Sequence, residues 1–357
     1  MAWLDQGLAL QLKRWTTGAL IVTSLLFGSL AGPHAAAIAG SDNRSFTYAG
    51  DYSAGSFPIG TFIALQYLGY SRSNAFINSS GRELPNSHAN IFYEFTRLTY
   101  FAQLWGHPLV VEAVVPFATL TDVNIPGTNN FVAGGLADPL FLLTYFFVAD
   151  ANIQRWLGFT SHFYLPLGRY DSRKVVNVST ADQFTYLPQV GYTEGLGKFV
   201  PAMKSFFLDL IASASLHTDG NDPINFLNPE GARFRGVLTY DTLSQKTSYD
   251  VKAFLRYEPK TFLFAALGIE KSWGGEQTVS NGRFTVAGRP IVIPQPDLPI
   301  SKENFLRGHF QFQIPLGHDF LVAADVFQDF DRVGGFRNDI GVEMRLTKLF
   351  FPRTINR

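Results

Sequence analysis

Beyond Ala39 the chain has no uncharged apolar run approaching the ~20 residues that a membrane helix needs. Instead it alternates apolar and polar residues with period two, in stretches of about ten residues. That period puts successive side chains on opposite faces of a strand, so each stretch has one apolar and one polar side. In Phe305–Ile314, Arg307, His309, Gln311 and Gln313 share one face, while Gly308, Phe310, Phe312 and Ile314 share the other. Along Asn338–Phe350, Asp339, Glu343, Arg345 and Thr347 oppose Ile340, Val342, Met344 and Leu346. Ser248–Tyr257 sets Asp250, Lys252 and Arg256 against Val251, Ala253, Leu255 and Tyr257. In Phe206–His217, Asp209, Ser213, Ser215 and His217 oppose Leu208, Leu210, Ala212, Ala214 and Leu216.

Alternation alone also fits a soluble sandwich, and the connections decide between the two. Twelve segments fall near residues 58–70, 91–104, 109–120, 136–148, 157–167, 184–195, 205–217, 248–257, 262–272, 305–314, 320–330 and 337–350. The second, fourth and later even connections are short, as at Trp105–Pro108, Glu258–Thr261 and Pro315–Asp319. Most odd ones are long, including 121–135, 168–183, 218–247 and 273–304; only the last, around Arg332–Phe336, is short. Short turns at one end and long loops at the other predict an all-β fold: a transmembrane antiparallel up-and-down β-barrel of about 12 strands. Both termini of the chain then fall on the periplasmic side.

Composition fits that architecture. There are 34 Phe, 14 Tyr and 5 Trp, against only 16% charged residues. Many rings fall at the ends of apolar runs, where interfacial girdles are expected: Tyr67, Tyr70, Trp105, Trp156, Tyr192, Phe199, Tyr257, Phe262, Trp273, Phe350 and Phe351. With no Cys, zinc ribbons and disulfide frameworks are excluded. Lys+Arg and Asp+Glu balance at 29 each, which leaves no basic excess for nucleic acid. Lys13 and Arg14, the apolar run Trp15–Leu30 and the small residues Ala35–Ala39 have the order of a secretory signal peptide, with cleavage after Ala37 or Ala39. Residues 40–56 follow as a periplasmic or lumen-plugging segment, 57–351 as the barrel and 352–357 as a short tail.

Several motifs then resemble a known family. Phe57–Tyr70 (FPIGTFIALQYLGY), Gly81–Leu84, Thr96–Phe101 (TRLTYF), Gly134–Pro139, Tyr164–Asp171 (YLPLGRYD) and Tyr186–Tyr192 occur in the order seen in one outer-membrane barrel family. It is the group of transporters assigned to the meta-pathway of phenol degradation. The resemblance implies a barrel, monomeric or oligomeric, that moves small aromatic or other hydrophobic compounds across the outer membrane of a Gram-negative-type bacterium. Such barrels usually end in an aromatic residue read by the barrel-assembly machinery. Here Phe350 keeps the outward parity of Ile340–Leu346, and six residues follow Phe351.

If parity holds, the lumen is lined by Glu112, His162, Gln189, Asp209, Lys252, Arg256, Glu270, Arg307, His309, Gln311, Gln313, Asp325, Asp339, Glu343 and Arg345. The signs are mixed, which argues against strong ion selectivity and for pairing across strands. Leu109–Leu120 and Asp138–Val148 are apolar on nearly both faces, with Glu112 the exception. Either an apolar wall passes hydrophobic solutes, or Gly40–Ser56 folds inside to cover it. The expected function is a passive channel for small hydrophobic or aromatic solutes, with outer-membrane lipid around it. A non-conducting structural or adhesion barrel with partner-binding loops is the alternative, and an outer-membrane hydrolase the third. No catalytic constellation, cofactor site or metal site is apparent: no Ser is matched with His162 or His309, and the glycine-rich runs open no helix.

Overall fold

The computed structural model describes residues 47–125, 132–174, 176–228, 232, 234–317 and 319–352. The signal peptide and its cleavage site, residues 40–46 and the tail beyond Pro352 lie outside the described residues. Twelve long antiparallel strands form the barrel. They are β1 (Phe62–Ile77), β2 (His88–Leu104), β3 (His107–Asn124), β4 (Leu140–Asp150), β5 (Arg155–Tyr164), β6 (Thr185–Gly195), β7 (Phe206–His217), β8 (Ser248–Lys260), β9 (Leu263–Ser280), β10 (Leu298–Pro315), β11 (Phe320–Val333) and β12 (Gly335–Phe350). Each pairs with its sequence neighbours, and β1 also pairs with β12, with Phe62 opposite both Tyr100 and Phe350. No edge is left, as hydrocarbon requires of a spanning sheet.

All twelve expected strands are present, joined by the expected asymmetry of turns. At the inner end, β2 and β3 are linked by Trp105 and Gly106 alone, with φ of 51° and 82°. Both residues therefore adopt the left-handed conformation of a tight hairpin turn. Alternation survives as exposure: on β12, Ile340, Val342, Met344 and Leu346 face out, while Gly341, Glu343 and Thr347 are buried. Of the girdle rings, Tyr70, Trp105, Phe199, Tyr257, Trp273, Phe350 and Phe351 are exposed. Tyr67 and Trp156 are corrections: both are buried inward, Tyr67 stacked on Phe95 at 4.0 Å and Trp156 bonded to Ser56. A ring at a strand end satisfies the girdle pattern on either face, and parity places these two inside.

Several strands run longer than the sequence stretches. β9 continues to Ser280, and β10 begins at Leu298. Beyond the membrane, water permits polar residues on either face, so the period fades while pairing continues. The two longest loops are not irregular either. Gly220–Leu227, Gly236–Gln245, Gly282–Val286 and Val292–Gln295 extend the sheet outward by successive antiparallel pairing. These strands enclose a second core of Ile224, Leu238, Tyr240, Leu243, Val279, Phe284 and Ile300. Burial there pushes the Tyr240 hydroxyl up to about 12. Phe226 packs against this core and also against a third cluster with Phe76, Ile125 and Phe336. The loop region from β7–β8 thus reaches across the outer mouth to β1, β3 and β12.

The lipid-facing assignment makes a quantitative prediction. Leu267, 65% exposed on β9, meets hydrocarbon. Leu267→Arg should cost about 2–4 kcal/mol of unfolding free energy in lipid vesicles, read by denaturant titration. An unchanged midpoint would contradict a lipid contact at this position.

Candidate functional site

The lumen is partly filled by the chain's own residues. Residues 47–57 enter it and touch strands around its whole circumference. Their sequence favours a compact turn: Tyr52–Ser56 forms a 3-10 helix, and Ser53 Oγ donates to Gly50 O at 2.7 Å. On the β5–β6 side, Tyr52 OH lies 2.8 Å from Thr160 Oγ1 and accepts from Gln189 Nε2 at 2.9 Å. Gln189 Nε2 also donates to Thr47 Oγ1 at 2.8 Å. Opposite, Ala49 N donates to Gln311 Oε1 at 3.0 Å on β10, and Arg256 Nη2 donates to Ser53 Oγ at 3.2 Å from β8. Asp51 lies 3.4 Å from Arg97 on β2 and 3.4 Å from Arg345 on β12.

Two glycines seat the segment. Gly158 on β5 and Gly191 on β6 are register partners, and the Tyr52 ring lies over both. A Cβ at Gly191 would fall inside that ring. The next wall strand supplies Phe146, whose ring meets Tyr52 edge-on at 6.1 Å. Tyr52 therefore covers part of the apolar wall of β4. A cavity of about 570 Å³ remains beside the segment. Its apolar lining includes Phe57, Phe101, Leu142, Phe146, Phe207, Phe264 and Leu321. At its inner end, Phe57 stacks on Phe262 at 5.7 Å and lies 5.2 Å from Phe101.

The expected lumen residues fall into a paired network. Glu112 bonds Arg97 and accepts from Thr99 Oγ1 at 3.2 Å. Asp209 accepts from Arg256 Nε at 3.1 Å and from Thr193 Oγ1 at 2.6 Å, and Arg256 also pairs with Glu258. Lys252 lies 3.4 Å from Glu270, which in turn is 3.1 Å from His309 Nε2 and 3.7 Å from Arg307. His309 Nδ1 is 2.9 Å from Asp325, so this imidazole is held between two carboxylates. Arg307 Nε donates to Asp329 Oδ1 at 2.7 Å. Arg345 Nη2 donates to Gln313 Oε1 at 2.7 Å, and Gln313 Nε2 donates to Phe262 O at 3.1 Å. Glu343 is buried opposite Asp325, and His162 is buried with Nδ1 3.0 Å from Leu187 O.

Asp339 departs from its expected place. A bulge pairs Arg72 with Ile340 and Ser73 with Asn338, skipping Asp339. Asn338 is buried in its stead, while Asp339 is half-buried and accepts from Asn74 N at 2.9 Å. An inserted residue reverses parity on one side of itself, and alternation gives no sign of it. Sequence reasoning also missed Arg97, Asp329 and Asp51. Asp329 could be found by carrying the Asp325 parity four residues further. Arg97 could be found as the charge within Thr96–Phe101. Asp51 carries no periodic signal.

Loosening the seat should release the segment. The chain has no native Cys, so Ser53→Cys gives a single reporter thiol. Adding Gly191→Val should accelerate its labelling by a water-soluble maleimide about tenfold, as expected for overpacking of roughly 1–3 kcal/mol. Equal rates would mean that Tyr52 is not what holds the segment.

The fold matches that of a solved protein. The crystal structure of the COG4313 outer membrane channel from Pseudomonas putida F1 has a TM-score of 0.67 and 16% identity, covering 85% of this chain and 100% of that one. The toluene transporters TodX of Pseudomonas putida and TbuX of Ralstonia pickettii give TM-scores of 0.43 and 0.39, each at 10% identity and covering 89% of this chain and 98% of theirs. No curated protein matches in sequence. The family profile described as "Putative MetA-pathway of phenol degradation" matches residues 73–268, more than half of the sequence, and the chain belongs to that family.

Proposed function

We propose that this protein is a passive outer-membrane channel for small hydrophobic or aromatic solutes. One observation carries the reading: a cavity of about 570 Å³ inside a membrane-type barrel, whose lining combines aromatic and aliphatic side chains with polar groups that are largely paired with one another. A water-filled porin would line such a space with polar groups, whereas a small-molecule site is mostly apolar with a few placed polar groups. The charged residues around the cavity fit this reading. Arg97, Arg256 and Arg345 each lie against a carboxylate, so among the described residues around the cavity no guanidinium is left uncompensated to draw an anion. Outer-membrane lipid and the assembly machinery are the further partners of a barrel of this type, the latter reading Phe350 and Phe351.

The geometry gives a hydrolase no support. Among the described residues none of the three inward histidines bonds a serine: His309 is held by Asp325 and Glu270, His162 by a backbone carbonyl, and His217 lies 2.9 Å from Thr185 Oγ1. The long loops of the adhesion alternative pack on one another around their own core.

The residue 47–57 segment makes transport depend on its displacement. Reconstituted protein should raise uptake of radiolabelled toluene into vesicles at least about tenfold over empty vesicles, and deletion of residues 47–56 should raise it further. No uptake by either form, with heat-modifiable gel mobility showing both folded, would end the channel reading.

A further inference from the structure

We propose that His162 makes the cavity discriminate between solutes, favouring a ring that bears a hydroxyl group over the matching hydrocarbon. This rests on the channel reading for its place in function, but binding tests it separately from flux. Most of the cavity's polar groups are paired, and the Nε of Arg345, unpartnered among the described residues, is a donor rather than an acceptor. Thr144, Thr160, Tyr52, Gln189 and Thr47 form one continuous hydrogen-bonded chain, with Thr144 Oγ1 2.9 Å from Thr160 Oγ1.

His162 is different. It lines the cavity from β5 at 1% exposure, beside the apolar Leu142 with which it is in register. Its Nδ1 lies 3.0 Å from Leu187 O, which can only accept, so Nδ1 carries the hydrogen. In the neutral ring Nε2 then holds a lone pair, and among the described residues it has no hydrogen-bond partner. A lone acceptor on the wall of this cavity is satisfied by a solute that donates one hydrogen bond, as an aromatic alcohol does. A hydrocarbon of the same shape leaves it desolvated and unpaired. The expected preference is about tenfold, the size of one neutral hydrogen bond made or left unmade in a buried site.

The test is equilibrium dialysis of the purified full chain in detergent with radiolabelled p-cresol and toluene, which differ by one hydroxyl. Wild type should bind p-cresol about tenfold more tightly. His162→Phe keeps a ring but removes the acceptor and should bring the ratio close to one. His162→Gln restores an acceptor and should recover most of the preference, a recovery that mere packing at this position would not give. Equal binding of the two solutes by wild type, no binding of either, or an unchanged ratio in His162→Phe would each overturn the proposal. An intact binding preference without vesicle uptake of either solute would support it and count against the channel reading alone.

Discussion

Everything in this molecule depends on satisfying backbone hydrogen bonds where no water can do so. In hydrocarbon an unpaired N–H or C=O costs several kcal/mol, so a sheet can cross only by closing on itself. The β1–β12 pairing, continuous from Phe62–Phe350 to Ile77–Gly335 apart from its bulge, performs that closure. With closure fixed, the outer face must be apolar and the polar alternate residues have only the lumen to face. The chain is thus turned partly inside out, with its charges buried in the interior and its exposed aliphatic side chains in lipid.

Burying so many charges is tolerable only if they pair. The lumen answers with short cross-strand contacts, such as Arg256–Asp209 at 3.1 Å and Arg307–Asp329 at 2.7 Å. Guanidinium groups also lie over rings: Arg256 over Phe207 at 4.5 Å and Arg307 over Phe327 at 4.7 Å. Such a network neutralises itself and rigidifies the wall on β7–β12. The opposite wall, β3–β6, has few charges to pair, and there apolar side chains and small residues leave room. The residue 47–57 segment and the cavity share that space. Tyr52 fixes the segment to the β4–β6 wall, with its ring on Gly158 and Gly191 and its hydroxyl in the polar chain that ends at Thr144, while Ala49, Asp51 and Ser53 reach the charged wall through Gln311, Arg345 and Arg256.

Much of this was legible in advance, for specific reasons. Period-two alternation is a direct imprint of strand geometry, so Glu270, His309, Gln311 and Glu343 could be placed inward from position alone. Chain connectivity is imprinted in turn length, and so the number and order of strands could be read. Parity fails where the backbone departs from strict alternation. The bulge at Asp339 exchanged it for Asn338, and the inward rings Tyr67 and Trp156 satisfied an outward pattern equally well.

The sequence by itself determined the barrel: its strands, their order, the face presented by residues in strictly alternating stretches and the balance of charge inside. These follow from local periodicity and from the solvation rule of the membrane. Only the tertiary structure decided that Asp51 meets Arg97 and Arg345, that Tyr52 settles on two glycines, and that His162 keeps one nitrogen free beside a cavity. Those contacts join residues far apart in the chain across an enclosed space. Their partners are selected by the circumference and register of the closed sheet, which no local pattern records.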